Sequence, residues 1–330
     1  MNDDYTLFET TARVREWRLL TGDDFEAMDR SRTVAIVSCS PLEVHGPHLP
    51  VMADYVESDA IAVRTMEGLC ERFDDISFVH LPALWVATDV LPRPGSVNFR
   101  PSTLKRALVD LGRSLTRQGF KHVWVMNFHG GPRHFLAIEA ACVEVNRRFG
   151  GGMVPVFSLL IQRLTGGGTD VSELLGRVKG LDQSLLGGDT HGGLVETSIL
   201  LHLAGKHVKD SYKTLPRETV DMWRDRTGRP RVNDGDNAPF WDVARSLVGK
   251  VQFYATTTYS GAPAAGSAEI GDQVLAQFGD YAADALSEIW TGKIGPADCH
   301  SPLWKLRWLL LNEPFVEWFK RAVGATTRVF

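Results

Sequence analysis

Apolar runs rich in β-branched residues recur along the chain, and longer segments with helical spacing lie between them. The runs cover residues 33–38, 76–81, 122–126 and 154–160. A continuous apolar run is typical of a strand that is buried on both faces, because both of its sides pack against other layers. The pattern therefore predicts strands from the interior of a sheet.

Helical spacing of apolar residues marks the segments that join and follow these runs. The predicted helices cover residues 53–73, 101–119, 133–149, 192–204 and 268–290. Strands that alternate with helices imply βαβ crossovers, since parallel strands need a long connection between them. The sequence thus predicts the α/β fold class with a mostly parallel central sheet.

Composition narrows the classes of protein that fit this chain. Of its 330 residues 44% are hydrophobic, and the formal net charge is −4 with no basic face, which argues against nucleic acid as a partner. Scattered cysteines without a CxxC pair indicate free thiols in a reducing compartment. Because no apolar run reaches the roughly 20 residues of a membrane span and no secretory signal is visible, we expect a cytoplasmic protein without a membrane partner.

Three regions are predicted from the distribution of residue types. Residues 1–31 are polar and aromatic and suggest an N-terminal arm, and residues 32–295 hold the strand and helix pattern. Residues 296–330 form an aromatic and basic helical extension. Such a stripe is compatible with a membrane surface, but burial against the domain or a partner subunit is favoured.

The densest group of chemically active side chains follows the first apolar run. Glu43-Val-His45-Gly-Pro-His48-Leu-Pro and Asp54 place two carboxylates and two imidazoles within twelve residues. Glu43 and His45 are two apart, so an extended segment points both to one side. Imidazole and carboxylate groups bind Zn²⁺ and similar ions, which predicts a metal site. Taken singly, Asp54 also suits a helix N-terminus and His48 a turn.

His129 follows the run 122–126 and precedes Gly130 and Gly131. In open parallel sheets ligands bind beyond the carboxyl ends of the strands, which is also where the Glu43 group lies. We therefore expect the two groups to meet at one rim of the sheet. The alternative for His129 is a turn histidine at a strand end.

A third group leads into the helix predicted over residues 192–204. Glu196 lies within an otherwise apolar stretch, where a carboxylate needs a metal ion or a buried salt bridge. His191 precedes this helix beside two glycines, a position from which it can touch a substrate.

The candidate ligands are two imidazoles and three carboxylates: Glu43, His45, Asp54, His129 and Glu196. One zinc ion needs only three protein ligands, so five candidates favour two divalent ions that share a bridging carboxylate. A pair of ions activates a water and polarises a carbonyl, and the expected chemistry is therefore hydrolysis.

These motifs, in this order, resemble the creatininase (creatinine amidohydrolase) family. The resemblance rests on the Glu43–Asp54 stretch, on Asn127-Phe-His129-Gly-Gly and on His191-Gly-Gly-Leu-Val-Glu196-Thr-Ser, and it spans about Thr33 to Trp290. It implies a three-layer α/β/α sandwich over residues 32–295 and a homo-oligomer, often a hexamer. It also implies two metal ions, usually zinc, with manganese or iron in one position.

The resemblance also suggests roles for single residues. Glu43 and His129 would hold one ion and His45 the other, with Asp54 bridging. Glu196 would serve the second ion and take part in catalysis.

Proton transfer and substrate binding are assigned to other residues. The resemblance gives His191 an acid/base role at the scissile bond. Trp85 and Arg133, together with the 205–242 segment, are predicted to contact the substrate.

Gly131 departs from creatininase itself, which resembles this chain but carries at this position a glutamate that serves the second ion. The Gly-Gly form, followed here by Pro132, resembles the broader family and argues against creatinine as substrate. The predicted function is a metal-dependent amidohydrolase that cleaves an amide, cyclic amide or formamide C–N bond of a small molecule. A lactone or ester hydrolase on the same site and a non-catalytic, metal-stabilised protein remain as alternatives.

Overall fold

The computed structural model describes residues 11–322 except 166–170, 232–245, 247, 251 and 255. The first part of the predicted N-terminal arm, residues 1–10, and the last part of the extension, residues 323–330, lie outside the described residues. The same holds for residues 232–242 of the segment predicted to border the substrate.

A parallel sheet forms the centre of the molecule. Its strands are β1 (Val14–Glu16), β2 (Thr33–Ser38), β3 (Ser77–His80), β4 (His122–Met126) and β5 (Met153–Pro155). The strand order is β1-β3-β2-β4-β5, and every neighbouring pair is parallel. The predicted α/β fold class with a parallel sheet is therefore confirmed, and β2 and β4 lie side by side.

Helices occupy the connections and the C-terminal part. They are α1 (Gly22–Glu26), α2 (Ala53–Arg72), α3 (Pro101–Arg117), α4 (Pro132–Phe149), α5 (Val156–Thr165), α6 (Val171–Leu175), α7 (Leu194–Ala204), α8 (Val220–Arg226), α9 (Ala268–Trp290), α10 (Arg307–Leu310) and α11 (Glu313–Ala322). Helices α3 and α4 pack on each other, while α9 packs on both α2 and α7.

Each face of the sheet has its own core. Val34 and Ile36 of β2 are buried in a cluster with residues of α2, α7 and α9. Ala35 and Val37 of the same strand point to the opposite face and join a cluster with residues of α3 and α4. Because side chains alternate along a strand, the continuous apolar run of β2 fills both cores, as a three-layer sandwich requires.

Helix α7 approaches α9 closely at Gly271. A methyl group at this position would collide with the carbonyl oxygen of Ser198 in α7. Glycine therefore permits backbone contact between the two helices. The contact at Ser198 lies close to the first turn of α7, which carries Glu196.

The sequence prediction is wrong at two places in the sheet. The apolar run 154–160 continues β5 only to Pro155, and α5 begins at Val156. Periodicity alone cannot separate a short buried strand from a buried helical segment, which explains the error. Strand β1 lies within the predicted N-terminal arm and was missed, because three residues are too short to show a pattern.

The start of the C-terminal extension is bound to α4 by hydrogen bonds to the side chain of Glu139. Its carboxylate is fully buried and accepts hydrogen bonds from Ser158 Oγ at 2.8 Å and Ser301 Oγ at 2.6 Å. Nδ1 of His300 lies 3.2 Å from the other oxygen. Further along, Trp308 and Trp318 are 70% and 62% exposed, so these two indoles do not pack against their own domain.

None of the described helices is both long enough and apolar enough to cross a lipid bilayer.

The raised pKa of Glu139 predicts that this residue makes the free energy of unfolding depend on pH. Burial raises the pKa of Glu139 from 4.5 to about 7, so in this range the folded protein keeps a proton that the unfolded chain has lost. The stabilisation is fully present below pH 4.5 and is lost as the pH rises to about 7. Glu139→Gln keeps a neutral side chain, so at about pH 8 urea unfolding should show it to be more stable than wild type by roughly 2–3 kcal/mol.

Glu144→Gln is the matched control on α4. The ion pairs of Glu144 with Lys105 and Arg148 lower its pKa, so this substitution should not reproduce the gain in stability at alkaline pH. Parallel pH profiles for wild type and Glu139→Gln would show that Glu139 is ionised in the folded protein.

Candidate metal centre

The carboxyl ends of two adjacent strands supply three of the candidate ligands. Glu43 and His45 lie on the irregular segment that follows β2, and His129 lies just beyond β4. Because β2 and β4 are paired in register up to Ser38 and Met126, the segments that leave them begin at the same rim. The three side chains are all buried there.

Two helix N-termini supply the remaining carboxylates. Asp54 lies in the first turn of α2 and Glu196 in the first turn of α7. The backbone N–H of Gly192 donates to Oε2 of Glu196. Acidic groups are favoured in the first turn of a helix, where unpaired N–H groups and the helix dipole attract negative charge.

The five side chains meet around Asp54. Nδ1 of His129 lies 3.1 Å from Oε2 of Glu43 and 3.3 Å from Oδ2 of Asp54. Nε2 of His45 lies 3.3 Å from the other Asp54 oxygen and 3.7 Å from Oε2 of Glu196. We call Glu43, Asp54 and His129 the Glu43 trio, and His45, Asp54 and Glu196 the Glu196 trio.

Ligand atoms within each trio lie within 4.8 Å of one another, and Asp54 belongs to both trios. The structure therefore brings the five predicted ligands together, with one carboxylate shared between two groups. Glu43, His45 and His191 form a further set with the same spacing.

Backbone carbonyls determine which imidazole nitrogen faces the carboxylates. Nε2 of His129 lies 3.1 Å from the carbonyl oxygen of Thr88, and Nδ1 of His45 lies 3.0 Å from that of Glu43. Only a protonated ring nitrogen can donate to a carbonyl. In the neutral imidazoles, the lone pairs on Nδ1 of His129 and Nε2 of His45 therefore point at carboxylate oxygens.

A divalent cation fits this arrangement. Among the described residues, Oε2 of Glu43, Nε2 of His45 and Oδ2 of Asp54 are buried without a hydrogen-bond partner. Such groups are costly to bury unless a cation binds them. Histidines that bind metals commonly donate their other ring N–H to a carbonyl, as both histidines do here.

The pKa values of these side chains also indicate that positive charge is favoured between them. Burial opposes protonation of His45 and His129, yet the surrounding carboxylates hold both pKa values well above the ordinary range. Burial would raise the pKa of Asp54, but the two imidazoles hold it below its usual value. Burial raises the pKa of Glu196 to about 7. In the absence of a metal ion, protons thus take the place of cations.

His191 lies beside the metal ligands. Its ring stacks on that of His45 with centroids 4.0 Å apart, and its Nε2 lies 2.9 Å from the carbonyl oxygen of Val44. Tyr254 packs edge-on against it at 5.6 Å. Burial first, and then the charge of His45, lower the pKa of His191 to about 4. The imidazole is therefore held in one orientation, with Nδ1 left for other contacts.

The two residues predicted to contact substrate differ in exposure. Trp85 is 46% exposed and its ring packs 5.5 Å from that of Phe99. Arg133 is 7% exposed, and its guanidinium lies 3.8 Å from Oδ1 of Asp89. Arg133 therefore has a structural partner, which the sequence prediction did not foresee.

Gly131 packs closely against His129, and Asp89, which was missed in the sequence, lies beside it. Asp89 has a φ of 63°, a conformation that is uncommon outside glycine, and its Oδ2 accepts from the N–H of Arg133 at 2.7 Å. A methyl group at Gly131 would lie 2.5 Å from Nε2 of His129 and 2.8 Å from Cβ of Asp89. Position 131 therefore has no room for a side chain, and no ligand comes from it.

His48 lies apart from both trios. Its Nε2 is 2.9 Å from Oγ1 of Thr197, which ties the segment after β2 to α7. This contact agrees with the alternative of a turn histidine that positions its neighbours.

The fold and the buried cluster of imidazoles and carboxylates define an α/β protein with a candidate divalent metal centre. The family model described as "Creatininase: Creatinine amidohydrolase" matches residues 18–286. The chain belongs to the creatininase family, so the predicted resemblance is confirmed.

Solved structures share this fold at low sequence identity. A structure described as creatininase Mn is 21% identical and covers 83% of this chain and 97% of its own, with a TM-score of 0.53. A mutant creatininase described as the Zn-Zn type is 20% identical with the same coverage and a TM-score of 0.52. These neighbours establish the fold and show that relatives carry Mn or Zn.

A curated relative has a different substrate from creatininase. The mycofactocin precursor peptide peptidase of Mycolicibacterium smegmatis (strain ATCC 700084 / mc(2)155) is 28% identical over 172 residues. The match covers 52% of this chain and 58% of that protein. The chain thus matches little more than half the length of this relative. The creatininase family is a family of hydrolases, and its members cleave different bonds.

Gly131→Ala tests the packing behind His129. The added methyl group should displace the imidazole and break its hydrogen bond to Thr88, because the ring nitrogen is only 2.5 Å away. We expect zinc affinity, measured by titration calorimetry, to fall at least about tenfold. Gly130→Ala is the control, since a methyl group there meets no atom within 4 Å. Equal affinities for the two variants would contradict this account.

Proposed function

We propose that the protein is a metal-dependent amidohydrolase that cleaves a C–N bond with a metal-activated water at a dinuclear site. The observation that carries this proposal is the pair of imidazole nitrogens, of His45 and His129, that face the two oxygens of Asp54. Divalent ions bound to the two trios would supply Lewis acidity for activating a water and polarising a carbonyl.

The chain's own residues divide the remaining work. Asp54 belongs to both trios and joins them, while the backbone carbonyls of Thr88 and Glu43 orient the imidazoles. The neutral imidazole of His191, which stacks on His45, takes up the proton that the attacking water loses and passes it to the departing nitrogen. Glu196 accepts a hydrogen bond from the N–H of Gly192, and this bond orients its carboxylate at the start of α7.

Several finer assignments belong to the same proposal. We assign two ions, with zinc first and manganese or iron possible in one position, since imidazole and carboxylate ligands suit all three. A homo-oligomer, with a hexamer favoured, would cover the exposed indoles of Trp308 and Trp318. We place the enzyme in the cytoplasm and assign it a small-molecule amide, with the surface around Trp85 and Arg133 as substrate-binding region.

Two other bonds are candidates for this site. Short peptides are favoured by the match to the mycofactocin precursor peptide peptidase. Lactones and esters remain open because activation of a carbonyl does not by itself distinguish them from amides. Rates on matched amide, formamide, peptide and ester substrates decide among these, and hydrolysis of the ester with no hydrolysis of any amide by the fully loaded enzyme would overturn the amidohydrolase assignment.

Substitution of a single ligand should remove a defined number of ions. Wild type should bind two ions, Glu43→Ala and Glu196→Ala one each, and Asp54→Ala none, because Asp54 is the shared carboxylate. Metal content by mass spectrometry and amide hydrolysis are the measurements. Full activity after chelation of wild type would overturn the proposal, and two ions retained in Asp54→Ala would exclude a shared ligand.

His191→Gln should separate proton transfer from metal binding. Because His191 has no place in either trio, the variant should keep both ions while kcat falls about 10²–10⁴-fold. His202→Gln on α7 is the control, since that side chain lies at the surface near Asp272. A wild-type kcat for His191→Gln would remove this residue from the mechanism.

A further inference from the structure

Glu57 is a buried carboxylate that the proposed mechanism does not use. It lies in α2, three residues after Asp54, so the two side chains project from the same side of the helix. Glu57 is 0% exposed. Neither of its carboxylate oxygens has a hydrogen-bond partner among the described residues.

Asp59 is the buried acid of this helix that belongs to neither trio, and its carboxylate has hydrogen-bond partners. Asp59 accepts from Ser38 Oγ at 2.8 Å, and its Oδ1 lies 2.8 Å from Nε2 of His80. Burial of a carboxylate without partners is among the most costly arrangements in a protein interior. The contrast within one helix indicates that Glu57 is placed for a group other than the described side chains.

The groups that act on Glu57 are those of the Glu196 trio. Burial raises the pKa of Glu57 well above its usual value, and the charges of Glu196 and Asp54 raise it further while His45 opposes them. Helices α2 and α7 pack together, which brings Glu57 toward the helix that carries Glu196. Glu57 therefore lies beside one half of the centre.

We propose that Glu57 is a fourth protein ligand for the ion held by His45, Asp54 and Glu196. Its oxygens are outside the sets whose atoms lie within 4.8 Å of one another, so binding requires rotation of its side chain toward the trio. The inference rests on the proposed dinuclear site. It assigns the site an additional carboxylate from α2. Position 131, which precedes α4, offers no space for one.

Cobalt titration of the full-length, metal-free protein tests this assignment. Co²⁺ reports its ligands through its visible absorption spectrum, and the readout needs no substrate. We expect Glu57→Gln to bind one Co²⁺ as wild type does and the other at least about tenfold more weakly, with an altered spectrum for the weaker ion. Asp59→Asn is the matched control and should bind both ions with the wild-type spectrum.

The outcomes separate this inference from the function on which it rests. If wild type binds fewer than two ions, the dinuclear proposal fails whatever Glu57 does. If wild type binds two and Glu57→Gln binds both with unchanged affinity or spectrum, Glu57 is not a ligand.

Thermal melting provides a second readout that does not depend on activity. Without metal, Glu57→Leu should melt at a higher temperature than wild type, because it removes a buried carboxylate that lacks partners. With saturating Co²⁺, its gain in melting temperature should be smaller than that of wild type. A lower melting temperature of the metal-free variant would show that Glu57 has a structural partner and would overturn the proposal.

Discussion

Two hydrogen bonds to backbone carbonyls orient the imidazoles of the candidate metal centre. Thr88 accepts from one ring nitrogen of His129, and Glu43 accepts from one ring nitrogen of His45. The opposite nitrogens are thereby directed at carboxylates that are closed off from water. Such an arrangement is favourable only when positive charge lies between the groups, whether as protons or as metal ions. Loops, helix starts and glycines around the site all serve to keep these two rings in place.

The parallel sheet makes this convergence possible. Strands β2 and β4 are neighbours, so the segments that leave them begin at one rim, and the first turns of α2 and α7 face that rim with their acidic residues. Both helices are packed into the same core, on one face of the sheet. A site on the ends of rigid elements keeps its geometry more closely than one built on loops alone.

Membership of the creatininase family explains the fold more fully than it explains the substrate. Creatininases share the fold at about one fifth sequence identity, and a peptidase is a relative over part of the chain. One fold can serve several substrates because specificity lies in the side chains and loops around the centre. In this chain Gly131 leaves no room for a ligand, whereas Glu57 is a buried carboxylate without a hydrogen-bond partner among the described residues.

The sequence alone determined the sheet class, most helices and the five candidate ligands, because each depends on residue types at short spacing. Tertiary structure decided which nitrogen of each histidine is free, since Thr88 lies 41 residues from His129. It also placed Asp89 beside Gly131 and buried Glu57 without a hydrogen-bond partner among the described residues, which no local motif indicated. The end of β5 at Pro155 was likewise decided by packing, because an apolar run suits a buried strand and a buried helix equally well. Contacts between distant segments are absent from local patterns, and the candidate metal centre consists largely of such contacts.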